Sequence, residues 1–178
     1  AKEEITLDLN EIGKDKKFVG LSAYTVSPNG RMLAYSMDFT GFRQYTLQFK
    51  DLETGKLLDD KIERVTSVAW ANDNKTVFYV TEDATTKRSD RLFRLVLGGK
   101  PEELFNEKDE LYGIGVEGTR SDGYIIMTSE SSETNEQYLL DASKPEGKFW
   151  SYLPRKENTK YYVDHAGKDF FVVTNDKG

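Results

Sequence analysis

The chain has 178 residues, 37% of them hydrophobic and 31% charged, an ordinary balance for a globular chain long enough to bury a core. Its 25 Lys and Arg fall short of its 31 Asp and Glu, for a net charge of −6, which argues against a nucleic-acid partner because such partners are met by basic patches. It has no cysteine, which excludes disulfides and thiolate metal sites, and no apolar run approaches the roughly 20 residues a bilayer-spanning helix needs.

The opening stretch "AKEEITLDLN" has no apolar core of a signal peptide. Ile5, Leu7 and Leu9 alternate with Thr6 and Asp8, which predicts a strand over Glu4 to Leu9. The neighbouring "LDLNEIGKDKKF" is the best helical candidate in the chain, but Gly13 interrupts it early. "DLNEIG" begins like a calcium loop, yet Ile12 stands where a ligand is needed.

From Tyr24 the chain becomes repetitive. "YTVSPNGRMLAYSMD" (Tyr24 to Asp38) reads as strand, tight turn, strand. It returns as "SVAWANDNKTVFYVTED" (Ser67 to Asp83), "GIGVEGTRSDGYIIMTSE" (Gly113 to Glu130) and "YYVDHAGKDFFVVTND" (Tyr161 to Asp176). The equivalent apolar positions Leu33, Val77, Ile125 and Phe170 are 44, 48 and 45 residues apart, a spacing that matches the roughly 40–50 residues of a propeller blade. Between the copies lie a third strand and a short fourth one. They are "RQYTLQFKDL" with "LLDDKI", "RLFRLVL" with "PEELF", and "EQYLLDA" with "KFWSYL".

The expected fold is therefore all-β: a partial β-propeller of about three and a half four-stranded antiparallel blades. It forms a single propeller fragment over 1–178, with blades at 23–60, 65–105, 112–153 and an incomplete one at 160–178. A half-finished blade leaves an unpaired edge, so self-association through open blade edges is expected.

Candidate chemistry is sparse. "GIGVEG" (Gly113 to Gly118) fits a dinucleotide-binding letter pattern, but a turn and a strand follow it where a helix is required. The reading preferred is a glycine-rich inner strand near the propeller axis. His165 is the only histidine, and its neighbour Asp164 points to the opposite side of a strand. No G-x-S-x-G elbow occurs, so His165 reads as structural.

The acidic pairs Asp59-Asp60, Glu102-Glu103 and Asp109-Glu110 read as solvated turns and edges. Lys87, Arg88, Arg91 and Arg94 read as an exposed loop and strand face. Asn74 opens an "NKT" glycosylation pattern, which matters only in a secreted protein. No catalytic, cofactor-binding or metal-binding residue is expected within the chain.

Longer phrases narrow the reading. "RQYTLQFKDLETGK" (Arg43 to Lys56), "VAWANDNKTVFYVT" (Val68 to Thr81), "LFNEKDELYGIGV" (Leu104 to Val116) and "LPRKENTKYYVDHAGKDFFVVTN" (Leu153 to Asn175) resemble the propeller of the oligopeptidase B (protease II) branch of the prolyl oligopeptidase family. One departure is Gln44, before the Tyr of the third strand, where many relatives carry an acidic residue.

The resemblance implies a cytoplasmic serine peptidase that joins a seven-bladed propeller to an α/β-hydrolase domain and cleaves short peptides after Arg or Lys. The triad would lie in the hydrolase domain, outside these residues. The propeller would restrict access to small or unstructured peptides. Partners would be peptide substrates and that missing domain, with neither nucleic acid nor membrane. The alternative is a stand-alone propeller that binds proteins and catalyses nothing.

Overall fold

The computed structural model describes residues 3–177. A one-turn helix, α1 (Leu9–Gly13), comes first. Fourteen strands follow: β1 (Gly20–Val26), β2 (Met32–Asp38), β3 (Thr46–Asp51), β4 (Leu57–Ile62), β5 (Val65–Trp70), β6 (Thr76–Glu82), β7 (Ser89–Val96), β8 (Glu102–Asn106), β9 (Gly113–Gly118), β10 (Tyr124–Glu130), β11 (Asn135–Asp141), β12 (Trp150–Ser151), β13 (Tyr161–Ala166) and β14 (Asp169–Thr174).

The strands pair only with their sequence neighbours, all antiparallel. This gives the sheets β1-β2-β3-β4, β5-β6-β7-β8, β9-β10-β11-β12 and β13-β14. The fold is a partial β-propeller: three four-stranded meanders and a final hairpin.

The repeat is reproduced residue by residue. Leu33, Val77, Ile125 and Phe170 are each the second residue of the second strand in their sheet. Because side chains alternate across a strand, the two faces of each sheet serve different neighbours. Ala34, Leu47 and Phe49 of the first sheet pack on Val77, Tyr79 and Leu95 of the second. Phe78, Val80 and Leu92 of the second pack on Ile125, Met127 and Leu140 of the third. Ile126 and Leu139 of the third pack on Tyr161, Val163 and Phe170 of the hairpin. The core is thus three parallel seams, and β2 is buried at every position because both its faces are covered.

Among the described residues no sheet packs on the other face of the first sheet, and the N-terminal segment covers it. Leu7, Ile12 and Val19 pack on Leu33, Tyr35 and Met37, the face of β2 that looks away from the second sheet. Lys50 Nζ donates to the Thr6 carbonyl at 2.7 Å. The expected strand over Glu4 to Leu9 does not form. Instead Asp8 caps α1, its Oδ1 accepting from the backbone N–H of Asn10 and Glu11 at 3.0 and 3.1 Å. A strand there needs a partner along the ladder, whereas a capped turn is satisfied locally.

Polar contacts bind the seams, joining residues about one repeat apart. Asn29 N–H donates to Asn74 Oδ1 (2.7 Å), the Trp70 indole to the Thr25 carbonyl (3.1 Å), and Asn72 Nδ2 to the Asp122 carbonyl (2.8 Å). Arg120 N–H donates to Asp164 Oδ1 at 2.9 Å. These contacts lie on the inner hairpin turns, so one end of the stack carries a continuous polar belt. This turn end holds the β1–β2 and β3–β4 type turns. The opposite, connection end holds the β2–β3 type loops and the links between sheets.

Candidate functional site

The innermost strand of each sheet is its first, β1, β5, β9 and β13, and these build the surface that faces the axis. It borders a cavity of about 630 Å³ whose wall includes Ser67, Ser89, Gly113, Gly115, Thr128 and Glu130. "GIGVEG" forms this wall as β9, followed by a turn and β10, with no helix. Its Ile114 and Val116 turn into the seam with the second sheet. A Cβ placed on Gly115 meets no atom within 4 Å, so glycine there leaves open space and is not demanded by packing. Val116 N–H donates across the seam to Ser67 Oγ at 3.0 Å. At the connection end of the wall, Glu130 accepts from Lys160 Nζ (2.7 Å) and from the Tyr162 hydroxyl (3.0 Å). Nearer the turn end, Glu117, opposite Ile126, is exposed. The wall offers hydroxyls, bare backbone and carboxylates, which suits hydrogen bonding to an extended chain.

His165 lies elsewhere, at the turn end. Its Nδ1 is 2.6 Å from Ser121 Oγ, and its imidazole packs edge-on against Tyr124, with ring centroids 4.9 Å apart. Phe170 is its second aromatic neighbour. Asp164 does not orient the imidazole. Its Oδ1 accepts from the backbone N–H groups of Arg120 and His165, and those bonds hold its carboxyl below the usual range. The Ser–His contact ties the third sheet to the final hairpin across a seam.

The acidic pairs are partly engaged, Glu102-Glu103 at both residues, since Arg91 lies 3.9 Å from Glu103. Asp60 accepts from Gly98 N–H, Glu102 pairs with Arg94 at 2.6 Å, and Asp109 Oδ1 accepts from Leu111 N–H. Among the described residues no group of three or more His, Cys, Asp or Glu could hold a metal ion, and Asp8 of the calcium-like stretch is the helix cap. Two of the four basic residues differ from the expected exposed face. Arg88 is largely buried and donates to the carbonyls of Glu107, Asp109 and Tyr112. Arg94 reaches the Pro145 carbonyl at 2.7 Å. Both hold backbone that lacks a strand partner. Asn74 has a left-handed backbone (φ 63°), and its amide spans two turns.

One cluster had no signal in the sequence. Arg155, in the link before β13, pairs closely with Glu107, lies 3.4 Å from Glu136, and stacks 3.8 Å from the centre of the Tyr112 ring. Ser129 Oγ donates to the same Glu107 carboxylate at 2.6 Å. Burial alone would raise the Glu107 pKa. Hydrogen bonds from Ser129, the Asp109 N–H and Arg155, with the Arg155 charge, hold it below the usual range. The partners are 48 residues apart, about one repeat, which is the only trace they leave in the sequence. Among the described residues, no helix is long and apolar enough to cross a membrane.

Comparison with known proteins places these features in context. Residues 1–178 match the family model described as the prolyl oligopeptidase N-terminal beta-propeller domain. Dipeptidyl aminopeptidase BI of Pseudoxanthomonas mexicana is 35% identical, covering 100% of this chain and 25% of that protein. Protease 2 of Moraxella lacunata is 30% identical, covering 99% and 26%. Among solved structures, oligopeptidase B from Leishmania major superposes with a TM-score of 0.89 at 26% identity, covering 97% of this chain and 25% of that one. The chain spans about a quarter of the length of the relatives it matches.

Proposed function

Since the chain belongs to the prolyl oligopeptidase family, within its N-terminal β-propeller domain, we propose that it is the access-controlling part of a serine oligopeptidase that cleaves short peptides after basic residues. The similarity to Protease 2 and oligopeptidase B along nearly the whole chain carries this reading. The physical basis is steric. Blades arranged around an axis bound a cavity that an extended peptide can thread and a folded protein cannot. The β9 wall adds backbone and hydroxyl groups along that path. Hydrolysis would be performed by an α/β-hydrolase domain of the parent protein, opening between the two domains would admit substrate, and the 178 residues would supply no catalytic group. A cytoplasmic location belongs to the same reading.

The similarity to a dipeptidyl aminopeptidase favours a second reading, in which the parent removes dipeptides from a free amino terminus. One assay separates them. The purified parent protein is offered an Arg-linked chromogenic peptide with a blocked amino terminus, and a dipeptide substrate with a free one. Cleavage of the blocked peptide supports the oligopeptidase. Cleavage of the free dipeptide substrate alone supports the aminopeptidase. Hydrolysis by the 178-residue chain alone would show that it holds catalytic groups after all.

A further inference from the structure

Two carboxylates border the axial cavity, Glu117 and Glu130, and their surroundings differ. Glu130 is neutralised by Lys160 at 2.7 Å and also accepts from the Tyr162 hydroxyl. Glu117 is exposed. The nearest basic residue along the chain, Arg120, turns its guanidinium to Asp164, with Nε 3.8 Å from Oδ2. Among the described residues Glu117 enters no ion pair. An unpaired carboxylate on the wall of a channel concentrates cations more strongly than one on an open surface, because low-dielectric walls focus its field.

The backbone beside Glu117 is open as well. β9 has a partner strand on one side only, β10. Val116 N–H donates to Ser67 Oγ and not into that ladder. By antiparallel alternation the backbone groups of Ile114, Val116 and Gly118 therefore point away from β10, toward the axis. Such an edge accepts an extended peptide by main-chain pairing. Gly115 and Gly118 have no positive φ, and a Cβ built on either meets no atom within 4 Å. Neither backbone strain nor packing calls for glycine there; what the two glycines provide is clearance on both sides of Glu117. One cavity of about 630 Å³ thus joins a main-chain edge to a free negative charge. We infer that Glu117 is a specificity-determining residue. It receives the ammonium or guanidinium of a basic residue in a peptide lying along β9, at a position other than the one cleaved. This rests on the oligopeptidase reading, in which hydrolysis takes place outside these residues.

The test uses the full-length parent and acetylated peptides of about ten residues. Each peptide carries one Arg, and either Lys or Gln at one other position, moved in turn along its length. Mass spectrometry counts only initial cleavage at the Arg bond. The readout is the preference, in kcat/KM, for the Lys member of each pair over the Gln member. The wild-type parent is expected to prefer Lys by about threefold at one or more positions at low ionic strength, and less as salt is raised. Glu117→Gln should abolish the preference and Glu117→Lys should invert it. Glu117→Asp keeps the charge and should keep the preference, which separates loss of the carboxylate from any general loss of activity. A preference that survives in Glu117→Gln would overturn the inference, as would its absence from the wild type at every position. A parent that fails to cleave a minimal Arg-linked substrate would instead overturn the reading beneath it.

Discussion

At the scale of single residues, the seams depend on a few side chains placed one repeat apart. Phe78 is fully buried between the second and third sheets and meets Phe149 edge-on at 5.6 Å. Phe78→Ala should cost about 3–5 kcal/mol, read as a lower denaturant midpoint of the purified protein. The Glu107–Arg155 pair adds a pH dependence. Glu107 has a depressed pKa in the folded state, so its contribution is fully present above the ordinary value of 4.5 and is lost as pH falls below it. Glu107→Gln should therefore show a flatter stability profile on acidification, measured by urea denaturation across that range. Arg155→Met should cost about 3 kcal/mol near neutral pH, because it leaves a buried carboxylate without its cation. Such pairs were illegible in the sequence because nothing local to Glu107 points 48 residues ahead. By contrast, the alternation that buries Leu33, Val77 and Ile125 is local and was readable directly.

At the scale of elements, the strands were legible wherever alternation coincided with an available partner. Glu4 to Leu9 alternates equally well, yet no described strand pairs with it in a ladder, and Asp8 turns it into a helix cap. Pattern alone reports that a segment can pair, not that a neighbour exists. Of the outer strands, β4 and β8 lie where "LLDDKI" and "PEELF" place them, and only the third is shorter than expected. "KFWSYL" yields only Trp150–Ser151 in the ladder, because Pro145 and Gly147 shape the preceding segment as a loop. β9 was readable as a glycine-rich inner strand, but its openness was not. Gly115 has free space beyond its Cα, so Gly115→Trp should fold with a stability change of about 1 kcal/mol or less. With the parent acting as the oligopeptidase proposed above, it should lower kcat/KM more for longer peptides than for a minimal Arg-linked substrate. Equal losses on both would show that the axial wall is not on the substrate path.

For the whole molecule, stability is a sum over seams, since each sheet touches only its neighbours. The outward face of the final hairpin lacks one. Phe171 and Val173 are 58% and 72% exposed, although the counterparts of Phe171, Ala34, Phe78 and Ile126, are buried. The 178-residue chain in isolation is expected to self-associate through this face. Phe171→Asp/Val173→Lys should shift it toward monomer in sedimentation velocity, and a wild-type chain that stays monomeric at tens of micromolar would contradict this. The opposite face of the stack has no such need, because Leu7, Ile12 and Val19 already cover β2. That cover is made before the sheet it protects. On the ribosome, where synthesis runs at roughly 5–20 residues per second, the first sheet emerges with its outer face already clothed. It can serve as the template on which the second sheet condenses, then the third, without waiting for residues still inside the exit tunnel.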